Sequence, residues 1–116
     1  MITNQENFTR GSIWIAWDSQ SRKSRPFIII NPMSEYGVYA FALPSTSQAA
    51  RDKYDVLLRD WEEANLKQAT IARVSWGKML PFSAFNYHIG KLTDFDMLQI
   101  EKAILDFNGI SHSKDS

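Results

Sequence analysis

The chain has 116 residues and a mass of 13.4 kDa, 44% hydrophobic and 22% charged, which suits one packed domain and excludes both a second domain and a disordered chain. Thirteen basic and thirteen acidic residues cancel, so no global field draws the protein onto nucleic acid or an anionic membrane, and any polyanion site must rest on a local cluster. The absence of cysteine excludes disulfides, thiolate metal sites and a cysteine nucleophile, and the longest apolar run, Val38 to Leu43, is too short to span a bilayer, so a soluble cytoplasmic protein is expected.

Residues 1–10 read as a polar lead-in. From Gly11 the run Ser12 to Trp17, rich in β-branched and aromatic residues, predicts a first strand, followed by a polar loop from Asp18 to Ser24. Arg25-Pro26 launches a second strand, Phe27 to Ile30, whose unbroken apolar character predicts burial on both faces. Pro26 suits the first strand position, where a missing amide donor matters least. Asn31-Pro32 and Ser34 to Gly37 carry turn chemistry, so residues 38–43 should return antiparallel as a third strand ending at Pro44.

Tyr54 to Leu58 predicts a fourth strand, Trp61 to Leu66 a connector with one helical turn, and Thr70 to Leu80 a fifth strand. Short strands with no helices between them predict a mainly β domain, a small closed or nearly closed antiparallel barrel. One helix is expected at the C-terminus: Thr93 caps it, Asp96 occupies the reciprocal capping-box position, and Asp94 and Asp96 suit the positive end of the dipole. Met97, Ile100, Ile104 and Phe107, widened by Leu98 and Leu105, form an apolar stripe that should cover one mouth or side of the barrel. Gly109 ends the helix, which bounds the domain at residues 11–108 and leaves 109–116 as a frayed tail.

Several of these pieces resemble, in order and spacing, the PemK/MazF toxins of bacterial toxin-antitoxin modules. The pieces are Gly11 before the first strand; Lys23-Ser24-Arg25-Pro26 leading into Phe27-Ile28-Ile29-Ile30; Pro44-Ser45-Thr46-Ser47; Val56-Leu57-Leu58 with Trp61 and Leu66; and Ile89-Gly90-Lys91-Leu92-Thr93-Asp94. The resemblance spans about Gly11 to Phe107 and implies an SH3-like barrel of the CcdB/MazF kind with a C-terminal helix. It further implies a metal-independent endoribonuclease that cuts single-stranded RNA through the substrate's own 2′-hydroxyl, without a cofactor, and that works as a homodimer controlled by a cognate antitoxin.

Carried over position by position, the resemblance implies Arg25 and Thr46 as the catalytic pair, with Ser45 and Ser47 as alternates to Thr46. A guanidinium matches phosphate oxygens in a planar fork, and a hydroxyl can donate to a phosphate. The first loop is shorter than in typical members and lacks a clear counterpart to their loop acid, which leaves Asp18 as a further catalytic candidate. RNA contacts are expected from Arg22, Lys23, Arg51 and Lys53, with Lys78 at a position often basic in the family. Trp17 and Trp76, flanked by polar or turn residues, are the expected exposed pair of the four tryptophans and so candidates for stacking on bases.

Each of these residues also has a plain reading, as a solvated charge, a turn hydroxyl or a core ring. His88 and His112 are the only histidines, which leaves a catalytic triad or a histidine metal site without support. Two other functions remain compatible with the fold: a gyrase-poisoning, non-enzymatic relative, faintly suggested by Asn108-Gly109-Ile110, and an SH3-like binding module without catalysis.

Overall fold

The computed structural model describes residues 7–32 and 39–109. The turn expected at Ser34 to Gly37, the first residue of the third predicted strand, His112 and the tail from Ile110 lie outside the described residues.

Among the described residues seven strands and one α-helix follow in chain order: β1 Ser12–Asp18, β2 Lys23–Asn31, β3 Tyr39–Thr46, β4 Asp55–Leu57, β5 Ile71–Arg73, β6 Lys78–Pro81, β7 Phe85–Lys91 and α1 Asp94–Phe107. All pairings are antiparallel, in the order β4-β5-β3-β2-β1-β7, with β6 joined to β3 as well. The architecture is mainly β with a C-terminal helix, as expected, although hydrogen bonds do not close the sheet into a complete ring.

β2 is sandwiched as its composition predicts. Ile28 and Ile30 point into a cluster with Ile13, Leu43, Leu58 and Ile100, while Phe27 and Ile29 point the other way into one with Trp14, Ala16, Ala40 and Phe85. The helix stripe closes the first cluster through Ile100, with Met97 and Ile104 packed beside it, whereas Leu98 and Phe107 stay exposed. Phe8, placed by sequence in the lead-in, is buried in the second cluster, edge-on to Trp14, Phe82 and Phe85, so residues 8–10 pack with the domain.

Four local expectations need correction. The loop of residues 18–24 is a tight hairpin: β1 runs on to Asp18, β2 begins at Lys23, and Arg22 adopts a left-handed φ of 60° with its N–H donating to the Asp18 carbonyl at 2.7 Å. Arg25 and Pro26 therefore lie inside β2, and Pro26 marks the point where β2, paired only with β1 until then, begins to pair with β3 at Phe27↔Pro44. The predicted fifth strand is broken by a 3₁₀ turn at Val74–Trp76 into β5 and β6, and β7 was missed.

The capping box is half formed. Thr93 Oγ1 accepts from the Asp96 N–H at 3.4 Å, but the fully buried Asp96 carboxylate accepts from the Arg59 and Asp60 N–H groups, at 2.9 and 2.8 Å. It thereby ties the helix to the segment after β4. Gly90 allows the next stretch of that segment to approach, since a Cβ there would collide with the Ala64 carbonyl oxygen.

Candidate functional site

β3 changes partner along its length. On one edge it pairs with β6 and then, through Ser45↔Ala72 and Thr46↔Ile71, with β5; on the other its pairing with β2 ends at Phe27↔Pro44. The two strands separate there, and side chains bridge the gap. Arg25 Nη1 donates to the Ser45 carbonyl at 3.0 Å, and the buried Ser45 hydroxyl donates to the Pro26 carbonyl at 2.8 Å. These bonds satisfy two carbonyls that the ladder has left.

Two depressions flank this bridge. One, of ≈ 580 Å³, runs past Ser24, Arg25, Thr46 and Ser47 to a wall of Asn65–Gln68, Tyr87 and Ile89. The other, of ≈ 350 Å³, is walled by Asp18, Gln20, Arg51, Arg73 and Trp76. Lys23, Arg25, Thr46 and Gln48 line both and form the saddle between them. Together the clefts gather the cations Lys23, Arg25, Arg51, Lys67 and Arg73 against a single lining carboxylate, Asp18. This is the local cluster that a neutral chain needs in order to attract a polyanion.

Asp18 is the anchor of the saddle. Its side chain, 5% exposed, accepts from Lys78 Nζ at 3.0 Å, from Ser21 Oγ at 2.9 Å and from the Gln20 N–H at 3.1 Å. Arg25 Nε lies 3.2 Å from Oδ2 as a charge contact without a hydrogen bond. Burial raises the Asp18 pKa, but the hydrogen bonds from Lys78, Ser21 and Gln20, together with the Lys78 charge, outweigh it and hold the carboxyl below its ordinary 3.8. A carboxylate so occupied is a poor proton acceptor and a good clamp. Asp18, a catalytic candidate on sequence, is held here by Lys78, Ser21 and the Gln20 N–H beside Arg25.

Among the other residues picked from sequence, Arg25 and Thr46 stand together on the saddle with Lys23. The Thr46 hydroxyl accepts from the Gln48 N–H at 3.1 Å, which leaves its own proton to donate. Ser47 is exposed on the first cleft, Arg51 and Trp76 line the second, and Ser45 is committed to Pro26. Arg22, Lys53, Lys78 and Trp17 line neither cleft. Lys53 instead lies over the Tyr54 ring, and Lys78 is held by Asp18. Trp17 and Trp76 are the exposed pair, at 49% and 38%, and of the two Trp76 lines the second cleft.

Sequence reasoning missed Arg73, Gln48, Lys67 and Tyr87, all cleft-lining. Arg73 lay hidden within a strand predicted to be continuous, and Tyr87 on the strand that was not recognised. His88 packs against Trp14, with ring centroids 5.4 Å apart, and lines neither cleft. Among the described residues no group of three or more His, Cys, Asp or Glu side chains could hold a metal ion, and no helix is long and apolar enough to cross a membrane.

A sequence model of the PemK-like, MazF-like toxins of type II toxin-antitoxin systems matches residues 9–107. The chain belongs to this family. Solved structures agree on the fold: an endoribonuclease in complex with its cognate antitoxin from a mycobacterial species superposes with a TM-score of 0.74 at 16% identity, covering 90% of this chain and 97% of that one. The Mycobacterium tuberculosis toxin MazF-mt6 gives 0.73 at 18% identity over 86% and 98%. A MazE-MazF structure from Deinococcus radiodurans gives 0.67 at 15% over 89% and 95%. At such identities the likeness is one of fold. No curated protein matches by sequence. The PemK/MazF resemblance read from the motifs is thus borne out, and with it a MazF-like fold.

Proposed function

We propose that this toxin-family protein is a metal-independent endoribonuclease, in which Arg25 and Thr46 grip one phosphodiester of a single-stranded RNA. The observation that carries the reading is their shared position on a saddle between two cation-lined clefts, in a family whose members are typically RNA-cleaving. A strand laid across a saddle continues on both sides, which suits cutting within a chain rather than at its end.

In the proposed reaction the substrate 2′-oxygen bonds to phosphorus while the bond from phosphorus to the 5′-oxygen breaks. The 2′-hydroxyl loses its proton and the leaving 5′-oxygen gains one, giving a 2′,3′-cyclic phosphate and a 5′-hydroxyl. The Arg25 Nη protons not used on Ser45 face the charge that grows on the non-bridging oxygens, and Thr46 donates to the same group. Asp18 holds the guanidinium in place but takes no proton. The side chains offered are cations and hydroxyls, so the weight of catalysis falls on stabilising charge. In this reading the protein acts in the cytoplasm as a homodimer and is silenced by a cognate antitoxin, as the mycobacterial endoribonuclease is bound by its own.

The test is incubation of the purified protein with single-stranded RNA in the presence of a chelator. Cleavage leaving cyclic phosphate ends is expected, falling about 100- to 1,000-fold in Arg25→Ala and about 10- to 100-fold in Thr46→Val, the range for lost transition-state donors. Unchanged cleavage by folded Arg25→Ala, or cleavage abolished by the chelator, overturns the scheme. Gyrase-dependent DNA breakage with no RNA cleavage points to the non-enzymatic alternative.

A further inference from the structure

We infer that the second cleft is a subsite for one nucleotide adjoining the scissile phosphodiester, with Arg51 receiving a backbone phosphate and Trp76 stacking on the base. The inference rests on the endoribonuclease reading and adds to it a place where bases are held and sampled.

The subsite is built, and its walls are fixed to one another. Arg51 belongs to the turn before β4, and Trp76 to the 3₁₀ turn after β5. Ser75 Oγ donates to Asp52 Oδ2 at 2.7 Å, which ties the two turns together. Beneath them Asp55, its side chain 1% exposed, accepts from the Arg51 N–H at 2.7 Å and faces Arg73 Nε at 3.4 Å. The Arg73 guanidinium in turn lies over the Trp76 ring, 4.6 Å from its centroid. A ring pinned by a cation on a locked turn loses little freedom when a base stacks on its exposed surface, which is the economy of preorganised binding.

The arrangement also connects to the saddle. Arg51 Nη2 donates to Gln48 Oε1 at 3.1 Å, and the Gln48 N–H donates to the Thr46 hydroxyl at 3.1 Å. The Arg51 charge therefore sits two hydrogen bonds from the group proposed to grip the scissile phosphate, next along a continuous groove. Arg73 is offset by Asp55, so Arg51 is the cation of this wall left to meet an anion. Trp17, more exposed than Trp76, lines neither of the two clefts.

The probe is a fluorescent pool of random-sequence 2′-O-methyl RNA heptamers, which lack the attacking hydroxyl and stay intact during equilibrium binding. Trp76→Ala should bind the pool about 10-fold more weakly and Trp76→Phe within about threefold of the parent, since a base stacks on either ring. Arg51→Ala should weaken binding and lower the slope of log affinity against log salt by about 0.7, one phosphate contact on a single strand. Lys53→Ala removes an equal charge two residues away, outside the cleft, and should have the smaller effect on both quantities. Wild-type affinity in Trp76→Ala and Arg51→Ala, or a Lys53→Ala loss equal to that of Arg51→Ala, overturns the subsite; wild-type RNA cleavage that still depends on Arg25 then leaves the proposed reaction standing. A parent protein that neither binds the pool nor cleaves RNA overturns both.

Discussion

Replacing Asp18 by Asn keeps the shape of the saddle's anchor and removes only its charge. Lys78 and Arg25, with side chains 25% and 14% exposed, then face each other's positive charge across an amide. Removing one partner of a buried pair costs about 3–5 kcal/mol, but these cations keep some access to water and Asn can still accept from Ser21, so about 2–3 kcal/mol is expected. At roughly 4 °C per kcal/mol for a domain of this size, the melting temperature should fall by about 8–12 °C. The pH dependence fixes the cause. The folded pKa of Asp18 is lowered, so its stabilising contribution is complete above the unfolded value and lost as pH falls through the folded one. The gap between parent and variant should be constant above about pH 5 and close as the pH drops below 3.8. In the cleavage assay, a guanidinium freed from its clamp should lower kcat about 100-fold with a smaller change in KM, the signature of misplacement rather than lost binding. A variant that melts and turns over like the parent refutes the anchoring role, and a gap in stability that persists unchanged to low pH refutes its electrostatic origin.

Two further changes test how the walls are held. Asp96→Ala strips the acceptor from the Arg59 and Asp60 N–H groups and should cost about 3–4 kcal/mol, seen as a shift in denaturant midpoint; a loss under 1 kcal/mol refutes the tie between helix and loop. Gly90→Ala drives a Cβ into the Ala64 carbonyl and should cost about 1–3 kcal/mol through overpacking. Because the displaced stretch leads into the Asn65–Gln68 wall, RNA affinity should fall as well, and a variant as stable and as tight-binding as the parent removes Gly90 from this account.

What could be read from the sequence is what depends on neighbours in the chain. The continuous apolar run of β2 predicted burial on both faces, and Thr93 predicted the helix start, since each is a local rule. β7 carries a short alternation, Phe85, Tyr87 and Ile89 against Asn86, His88 and Gly90, but its burial does not follow it: Phe85 is buried and Tyr87 is exposed, because the strand pairs with β1 through bulges and the Asn65 side chain donates to the Ile89 carbonyl at 2.6 Å. The break between β5 and β6 was hidden for a similar reason. A Cβ at Gly77 would press on the side chains of Phe41 and Leu43, both distant in sequence, so the glycine inside the strand pattern is a local mark whose meaning only those distant partners reveal. Asp96 had two readings on a helix N-terminus, and only the distant Arg59–Asp60 backbone decides between them.

The same reasoning explains why the motif residues were found while their arrangement was not. Arg25-Pro26 and Ser45-Thr46 lie 20 residues apart and carry no mark of pairing, yet they meet where the pairing of β3 with β2 ends. A regular ladder would have consumed the carbonyls of Pro26 and Ser45 and packed the strands edge to edge, leaving no cleft. Because the ladder fails there, a guanidinium and a buried hydroxyl take over its hydrogen bonds, and the cleft opens beside them. Arg25 thus serves the fold through Nη1 while its side chain also lines both clefts, which requires a fixed counter-charge to keep both roles compatible. Asp18 supplies it from the end of β1, and the short hairpin brings it there: with only four residues between β1 and β2, Asp18 stands opposite Lys23, two residues from Arg25 along the strand. The brevity of the first loop, which on sequence alone looked like a lost acid, is what brings this acid to the arginine.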